Sequence, residues 1–399
     1  MNFALSDEQE FLREAARGAL SRVKTIEAAR DGLEGGELPD LWPVAVEAGW
    51  PGLLIDEDQG GAGLGVFDAL LVAEECGRVL AGVPLIGLLP ATLVLNAGGY
   101  DGLADVASGT TRPVLVAARP PSDLEPAWTV EPLSGKQRAT APKATVADDG
   151  SLTLSGSVHW VPDAPGADLL VVIAETEEGE ATAVAVTSSD AQVEKVFRYD
   201  ATRSLGHVKL DGVSGTRLEA DAETLKKAWY LSQALIAAES IGTVQTAMEM
   251  SIAYAKERFT FGRAIGSYQA IKHEITEILR RLDNARSLQY YAGFAGDNKP
   301  DEFALAASAA RTAAGGALDF AARANINVHG GIGATWEHDG PLFFRRAQLS
   351  RRLLGGTADA TDRVAAELLT TSGAAGDVGP PLMGDTTNAA AATAINSPA

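Results

Sequence analysis

The spacing of apolar and polar positions changes twice along the chain. Up to about Arg112, apolar residues recur at helical spacing, with Phe11, Leu12, Ala15, Ala16 and Leu20 on one face. Ser6-Asp7-Glu8-Gln9 opens that run as a capping box, the hydroxyl accepting a backbone N–H while the glutamine reaches back. Further helices are predicted around residues 39–48 and 66–79. From Arg112 to about Ala220 the period becomes two. Thr145-Val146, Leu152-Thr153-Leu154, Leu169-Leu170-Val171-Val172-Ile173-Ala174, Thr182-Ala183-Val184-Ala185-Val186 and His207-Val208-Lys209-Leu210 read as strands. Asp148-Asp149-Gly150 and Glu177-Glu178-Gly179-Glu180 supply turns between them. Helical spacing returns at Ala222, with long Ala- and Leu-rich stretches at 225–258, 269–295 and 303–329. A helix of ~30 residues runs ~45 Å, long enough for a bundle of antiparallel helices.

The pattern thus predicts an α+β chain: a helical domain over 1–112, a β domain over 113–221 and a helical bundle over 222–370. The aperiodic segment 371–399, rich in Ala, Gly, Thr and Pro, is expected to be a disordered tail. One glycine-rich run, Gly60-Gly61-Ala62-Gly63-Leu64-Gly65, superficially suggests a dinucleotide loop. No β-α-β pattern surrounds it, so a flexible connection between helices is the better reading.

Charge narrows the partners. Lys and Arg number 33 against 53 Asp and Glu, a formal charge of −20, which disfavours nucleic acid and anionic membranes. An anionic ligand then needs its own cluster of basic residues. The single cysteine, Cys76, rules out an internal disulfide framework and a Cys-based zinc site, and five scattered histidines give no H-x-x-x-H pair. The first residues lack a basic stretch followed by an apolar one. The apolar run at 83–95 is interrupted by Pro84, Gly87 and Pro90, too broken to span a bilayer. A cytoplasmic protein is expected.

Candidate chemistry lies in the last third. In Tyr254-Ala255-Lys256-Glu257-Arg258-Phe259-Thr260-Phe261-Gly262-Arg263 a long helix ends at a glycine, and another starts near Gln269. An arginine at a helix end beside loop amides can hold a pyrophosphate, although such arginines also pair with acidic neighbours on ordinary surface loops. Asn325-Ile326-Asn327-Val328-His329-Gly330-Gly331-Ile332-Gly333 adds glycines at a helix end, where backbone can approach a ligand closely.

The order of domains, R-x-x-F-G with a glutamine following, and then H-G-G-x-G resembles the acyl-CoA dehydrogenases over residues 1 to about 370. Gly156-Ser157-Val158-His159-Trp160 is similar to that family's G-x-K-x-W. The resemblance implies an N-terminal helical domain, a central β-barrel or sandwich domain and a C-terminal four-helix bundle. It also implies FAD, an acyl-CoA thioester oxidised to its 2,3-enoyl form, and an electron-transfer flavoprotein as acceptor. By position, Arg258, Phe261 and Gln269 match residues holding the ADP half of a neighbouring subunit's FAD, with backbone around Gly330 and Gly331. Asn327 stands where the family usually has glutamine, Trp160 matches the aromatic against the flavin, and Thr357 matches the threonine of Y-E-G-T.

Departures accompany the matches. The Glu of Y-E-G-T, the commonest base, is Gly355 here, and the alternative helix position is Ser232. Glu239, seven residues on and ~10 Å along the helix, is the remaining candidate base, with a structural ion pair as its alternative reading. The stretch 117–123 keeps only the Ser-Asp of T-E-P-x-x-G-S-D, and Pro162 replaces a hydroxyl two residues after Trp160. An intact clamp beside an eroded flavin pocket resembles the actinobacterial sterol-catabolism subgroup, α2β2 heterotetramers acting on bulky CoA thioesters. That resemblance implies a homologous subunit as partner. A homotetramer with Glu239 as base and a non-redox scaffold remain as alternatives.

Overall fold

The computed structural model describes residues 4–33, 38–119, 140–146 and 152–374. The expected turn at 148–150, most of the expected tail, and residues 120–123 of the altered flavin loop lie outside them.

Helix α1 (Asp7–Leu20) starts on the predicted box: Ser6 Oγ accepts from the Gln9 N–H at 3.2 Å, and Gln9 Oε1 accepts from the Ser6 N–H at 3.1 Å. α2 (Thr25–Leu33), α3 (Trp42–Glu47), α4 (Val66–Arg78), α5 (Leu85–Ala97) and α6 (Leu103–Ala107) complete the first domain. α5 is a helix that the sequence analysis did not single out. The interrupted run around residue 90 is a continuous helix that carries Pro90 inside it, at the cost of the N–H that would have bonded back one turn. Its residues are apolar on every side because it is buried all round, between the β domain and the long helix that follows it. The glycine-rich run differs from the sequence expectation. It is a connection, but a pinned one: Gly61, Ala62, Gly63 and Leu64 donate to the carbonyls of Asp56, Gly52, Ile55 and Leu53 at 2.8–3.0 Å. A Cβ on Gly61 would lie 2.0 Å from the Ile55 carbonyl oxygen, so only glycine fits that approach.

The β domain holds β1 (Pro113–Val116), β2 (Lys143–Val146), β3 (Leu152–Pro162), β4 (Leu169–Glu175), β5 (Ala181–Thr187), β6 (Gln192–Val196) and β7 (Leu205–Leu218). The strand order is β1-β4-β2-β3-β7-β5, and β5 pairs back onto β4, closing the sheet on itself. Among the described residues β6 pairs only with β7. β1 runs parallel to β4 with Pro113 opposite Leu169. Val114, Val116, Leu170 and Val172 fill the interior, while Leu115, Leu169, Val171 and Ile173 join the helical core. β4 is therefore apolar on both faces, as its unbroken apolar run requires.

After it come α7 (Ala222–Glu257), a short hairpin of β8 (Phe259–Thr260) and β9 (Arg263–Ala264), α8 (Gln269–Asn298), α9 (Pro300–His329), α10 (Gly340–Ser350) and α11 (Gly356–Ala374). α7 is the central element, packed against α4, α5, α8, α9 and α10. α11 lies on α9 and continues a turn past the expected end of the bundle. Among the described residues no helix is long and apolar enough to cross a membrane.

Candidate functional site

The two runs singled out in the sequence, with the start of α8, meet at one end of the bundle. Tyr254, one turn before Arg258, places its ring 4.3 Å from that of His329 at the end of α9. Asn327 Nδ2 donates to Glu274 Oε1 at 3.3 Å, joining α9 to the first turns of α8. Arg258, Phe261, Gln269, Asn327, Gly330 and Gly331 are all exposed there. The hairpin turns through Phe261 (φ 48°) and Gly262 (φ 78°), the paired positive values of a tight two-residue loop. This turn thrusts Phe261 outward, 94% exposed. Arg263 is committed to the Tyr268 ring, 4.0 Å from its centroid, whereas Arg258 makes no ion pair among the described residues. α8 begins at Gln269 with no side-chain cap, so its first N–H groups and the positive end of its dipole face outward. A Cβ on Gly330 or Gly331 would meet nothing within 4 Å. A free cation, uncapped amides and an open backbone turn on a strongly acidic chain fit a diphosphate. They lie on the outer surface of the bundle.

The two remaining cofactor candidates sit elsewhere. Trp160 lies at a bulge of β3 with φ 59°; its N–H donates to His207 Nδ1 at 3.2 Å and its ring meets the His207 ring edge-on at 4.6 Å. The Arg198 guanidinium is 4.5 Å from the same ring. Thr357 is the second residue of α11, and its methyl packs so closely on Gly315 of α9 that a Cβ there would lie 2.0 Å away.

Two of the departures, Ser232 and Pro162, meet Ala117 of the altered stretch and Leu354, the neighbour of Gly355, at one crevice between the first helical domain, the β domain and α7. Ile86, Leu115, Pro162, Trp229, Ser232 and Leu354 line it, and about 10 Å³ of space remains, room for one water at most. The Ser232 hydroxyl is turned back onto the Ala228 carbonyl at 3.2 Å. Among the described residues no ionisable side chain lines the crevice. Leu354 enters it from a left-handed backbone (φ 47°, ψ 51°), followed by Gly355 at φ 87°. Gln233 Nε2 donates to the Leu354 carbonyl at 2.9 Å, and Arg311 donates to the carbonyls of Ser350 and of Leu353, the latter at 3.2 Å. Burial pushes the fully enclosed Arg311 down to about 9, still cationic at neutral pH.

Glu239 is outside that crevice. It is 2% exposed, accepts from Arg203 Nη2 and lies 3.6 Å from Arg346 Nη1. Arg346 Nε donates to Asp200 Oδ2 at 3.1 Å and to Thr202 Oγ1 at 3.0 Å, and its Nη2 reaches the Leu80 carbonyl at 3.2 Å. Arg203 also donates to Ser350 Oγ at 3.1 Å. Two guanidiniums thus face two carboxylates where the β domain, α7 and α10 meet. Near it, Asp163 accepts from the Gly87 N–H at 2.9 Å at the start of α5, and burial raises its pKa to about 6. Sequence reasoning passed over Arg203, Arg311 and Gln233. An arginine alone in the Ala-rich run of α9 was the available signal for Arg311, since a charge among small apolar residues is buried only with partners.

Connectivity and geometry together define the class: the chain belongs to the acyl-CoA dehydrogenase family, oxidoreductases acting on CH–CH bonds. The acyl-CoA dehydrogenase N-terminal domain matches residues 6–99 and the C-terminal domain residues 224–369. Acyl-CoA dehydrogenase IpdE2 of Mycolicibacterium smegmatis is 30% identical over 368 residues, covering 91% of this chain and 100% of that protein. Among solved structures, a variant of the Tcur3481-Tcur3483 steroid ACAD is 26% identical with a TM-score of 0.79, covering 92% of this chain and 99% of that one. The ChsE4-ChsE5 complex from Mycobacterium tuberculosis shares the fold at 23% identity, with a TM-score of 0.79 and coverage of 92% and 99%.

Proposed function

We propose that this chain is one half of a heteromeric acyl-CoA dehydrogenase, an α2β2 assembly in which a homologous partner carries the flavin ring, the acyl chain and the catalytic base. The filled crevice carries this reading. Where the resemblance puts flavin and substrate, Pro162, Ser232 and Leu354 close the space and offer no proton acceptor. The cofactor face at the bundle end stays open. Arg258 would offset diphosphate charge, the uncapped start of α8 and the Gly330–Gly331 backbone would donate to it, and Phe261 and Gln269 would flank it. FAD, when bound, supplies the hydride acceptor for removal of the β-hydrogen, with an electron-transfer flavoprotein taking the electrons onward. This chain's residues bind and orient. Glu239, held between Arg203 and Arg346, is in this reading a structural carboxylate and not the base. A bulky, steroid-type CoA thioester is the substrate class favoured by the likeness to a steroid ACAD of two named components.

Co-expression with a homologous subunit tests this. One FAD per heterodimer, with no stoichiometric FAD on this chain alone, is the expected result. A full complement of FAD on the homomeric chain refutes it.

A further inference from the structure

The Gly330–Gly331 turn is tied to the fold by a histidine that no motif singled out. α9 ends at His329, glycine breaks the helix (Gly330 φ 65°), and the chain passes through Ile332 and Trp336 to His338 before α10 begins. Ile332 and Trp336 are exposed, so the turn packs little of its own apolar surface. His338 Nδ1 accepts from the Gly340 N–H at 2.9 Å, in the first turn of α10, where a free amide would otherwise go unpaired. The His338 ring lies 4.2 Å from that of His329, which packs on Tyr254 of α7 on its other side. His329 Nδ1 is 2.7 Å from the Asn325 carbonyl and so carries its proton, donating it there. Asn325 Oδ1 in turn accepts from Ser251 Oγ at 3.0 Å. The chain of contacts therefore runs from the buried face of α7, through His329 and His338, to the far end of the turn.

We infer that His338 is the positioning residue of this turn, and that it acts through an unprotonated Nδ1. An imidazolium has no acceptor nitrogen, so protonation converts the contact with the Gly340 N–H into donor facing donor. The charged and titratable groups around His338 among the described residues are His329 on α9, Asp339 beside it, Arg30 of α2, which pairs with Asp339, and Tyr254 beyond His329. Burial, then His329, holds His338 below the usual histidine range, with Arg30 adding to this and Asp339 opposing it. The folded value is thus below the unfolded one. The contact is intact above the ordinary histidine value of about 6.5 and is lost as pH falls through the lower folded value.

The cofactor role of the turn rests on the function proposed above; its anchoring by His338 does not. Hydrogen exchange of amides 330–340 in the full chain co-expressed with its partner separates the two, read against pH after correction for intrinsic exchange. Wild type should exchange about 5–10-fold faster once the pH has fallen below the folded value of His338 than at pH ~8, the loss of one hydrogen bond. His338→Asn, whose Oδ1 can accept from the same N–H without titrating, should stay protected at both. His338→Ala should be unprotected at both. FAD retention should follow protection in all three proteins. A flat wild-type profile, or wild-type protection in His338→Ala, overturns the inference. Lost protection with FAD fully retained supports the anchoring and removes the turn from the cofactor site.

Discussion

Replacing Glu239 by glutamine separates a structural carboxylate from a catalytic one. The side chain keeps its size but loses its charge, leaving Arg203 and Arg346 with Asp200, and Asp163 nearby, as the remaining carboxylates. Arg203 is 7% exposed and Arg346 and Glu239 still less, so solvent screening reduces the effect little. Breaking a buried ion pair by removing one partner costs about 3–5 kcal/mol, because the remaining charge stays buried. For a domain the size of this bundle that lowers Tm by roughly 6–20 °C. Scanning calorimetry of the co-expressed complex measures this, with turnover and FAD content followed on the same preparation below the transition. Expected are a lowered transition, FAD retained, and turnover within a few-fold of wild type. Glu239→Gln with Arg203→Met should recover part of the loss, since the surplus cation is then removed. An unchanged transition with turnover reduced by about 10²–10⁴-fold is the signature of a lost general base and refutes the structural reading.

Arg258→Ala should weaken FAD in the complex by about 1.5–3 kcal/mol, roughly one to two decades in affinity, with folding intact by circular dichroism. Gly355→Glu should not confer turnover on this chain, because φ 87° is a conformation side chains avoid; a strain of about 1–3 kcal/mol should appear in denaturant titration. Asp163, raised by burial to about 6, is favoured in its neutral form in the folded state. Its contribution is complete below the unfolded value of 3.8 and is lost as pH rises to about 6, so stability measured over that window should decline in wild type and flatten in Asp163→Asn.

The order of helical, β and helical regions was legible because each keeps one hydrophobic period over many turns or strands, and the capping box at Ser6 was legible because it is local. α5 was not. Pro90 and Gly87 are helix-breaking signals, and burial on every side overrides them without leaving any periodicity. β1 and β6 are four and five residues long, too short to show alternation. In the candidate site, the changes at Pro162 and Ser232 were visible one at a time, but nothing in the sequence says that they share a crevice with each other and with Leu354. Glu239 shows the same limit: both its partners are remote in sequence, one on the loop before β7 and one on α10, and only the fold brings them to it. His338 shows it in part: its contact with the Gly340 N–H lies two residues away, but its stacking on His329 arises only where two helices meet.

The hairpin that carries Phe259 and Phe261 outward has a consequence for how the chain is made. Both rings face water when the chain is alone, at 64% and 94% exposure, next to the open turn with Ile332 and Trp336. An orphan copy therefore displays a greasy patch that chaperones and proteases read as unfinished. Synthesis in excess of a partner would be met by clearance and not by accumulation. In the heteromer proposed above, matched dosage of the two polypeptides follows from this surface.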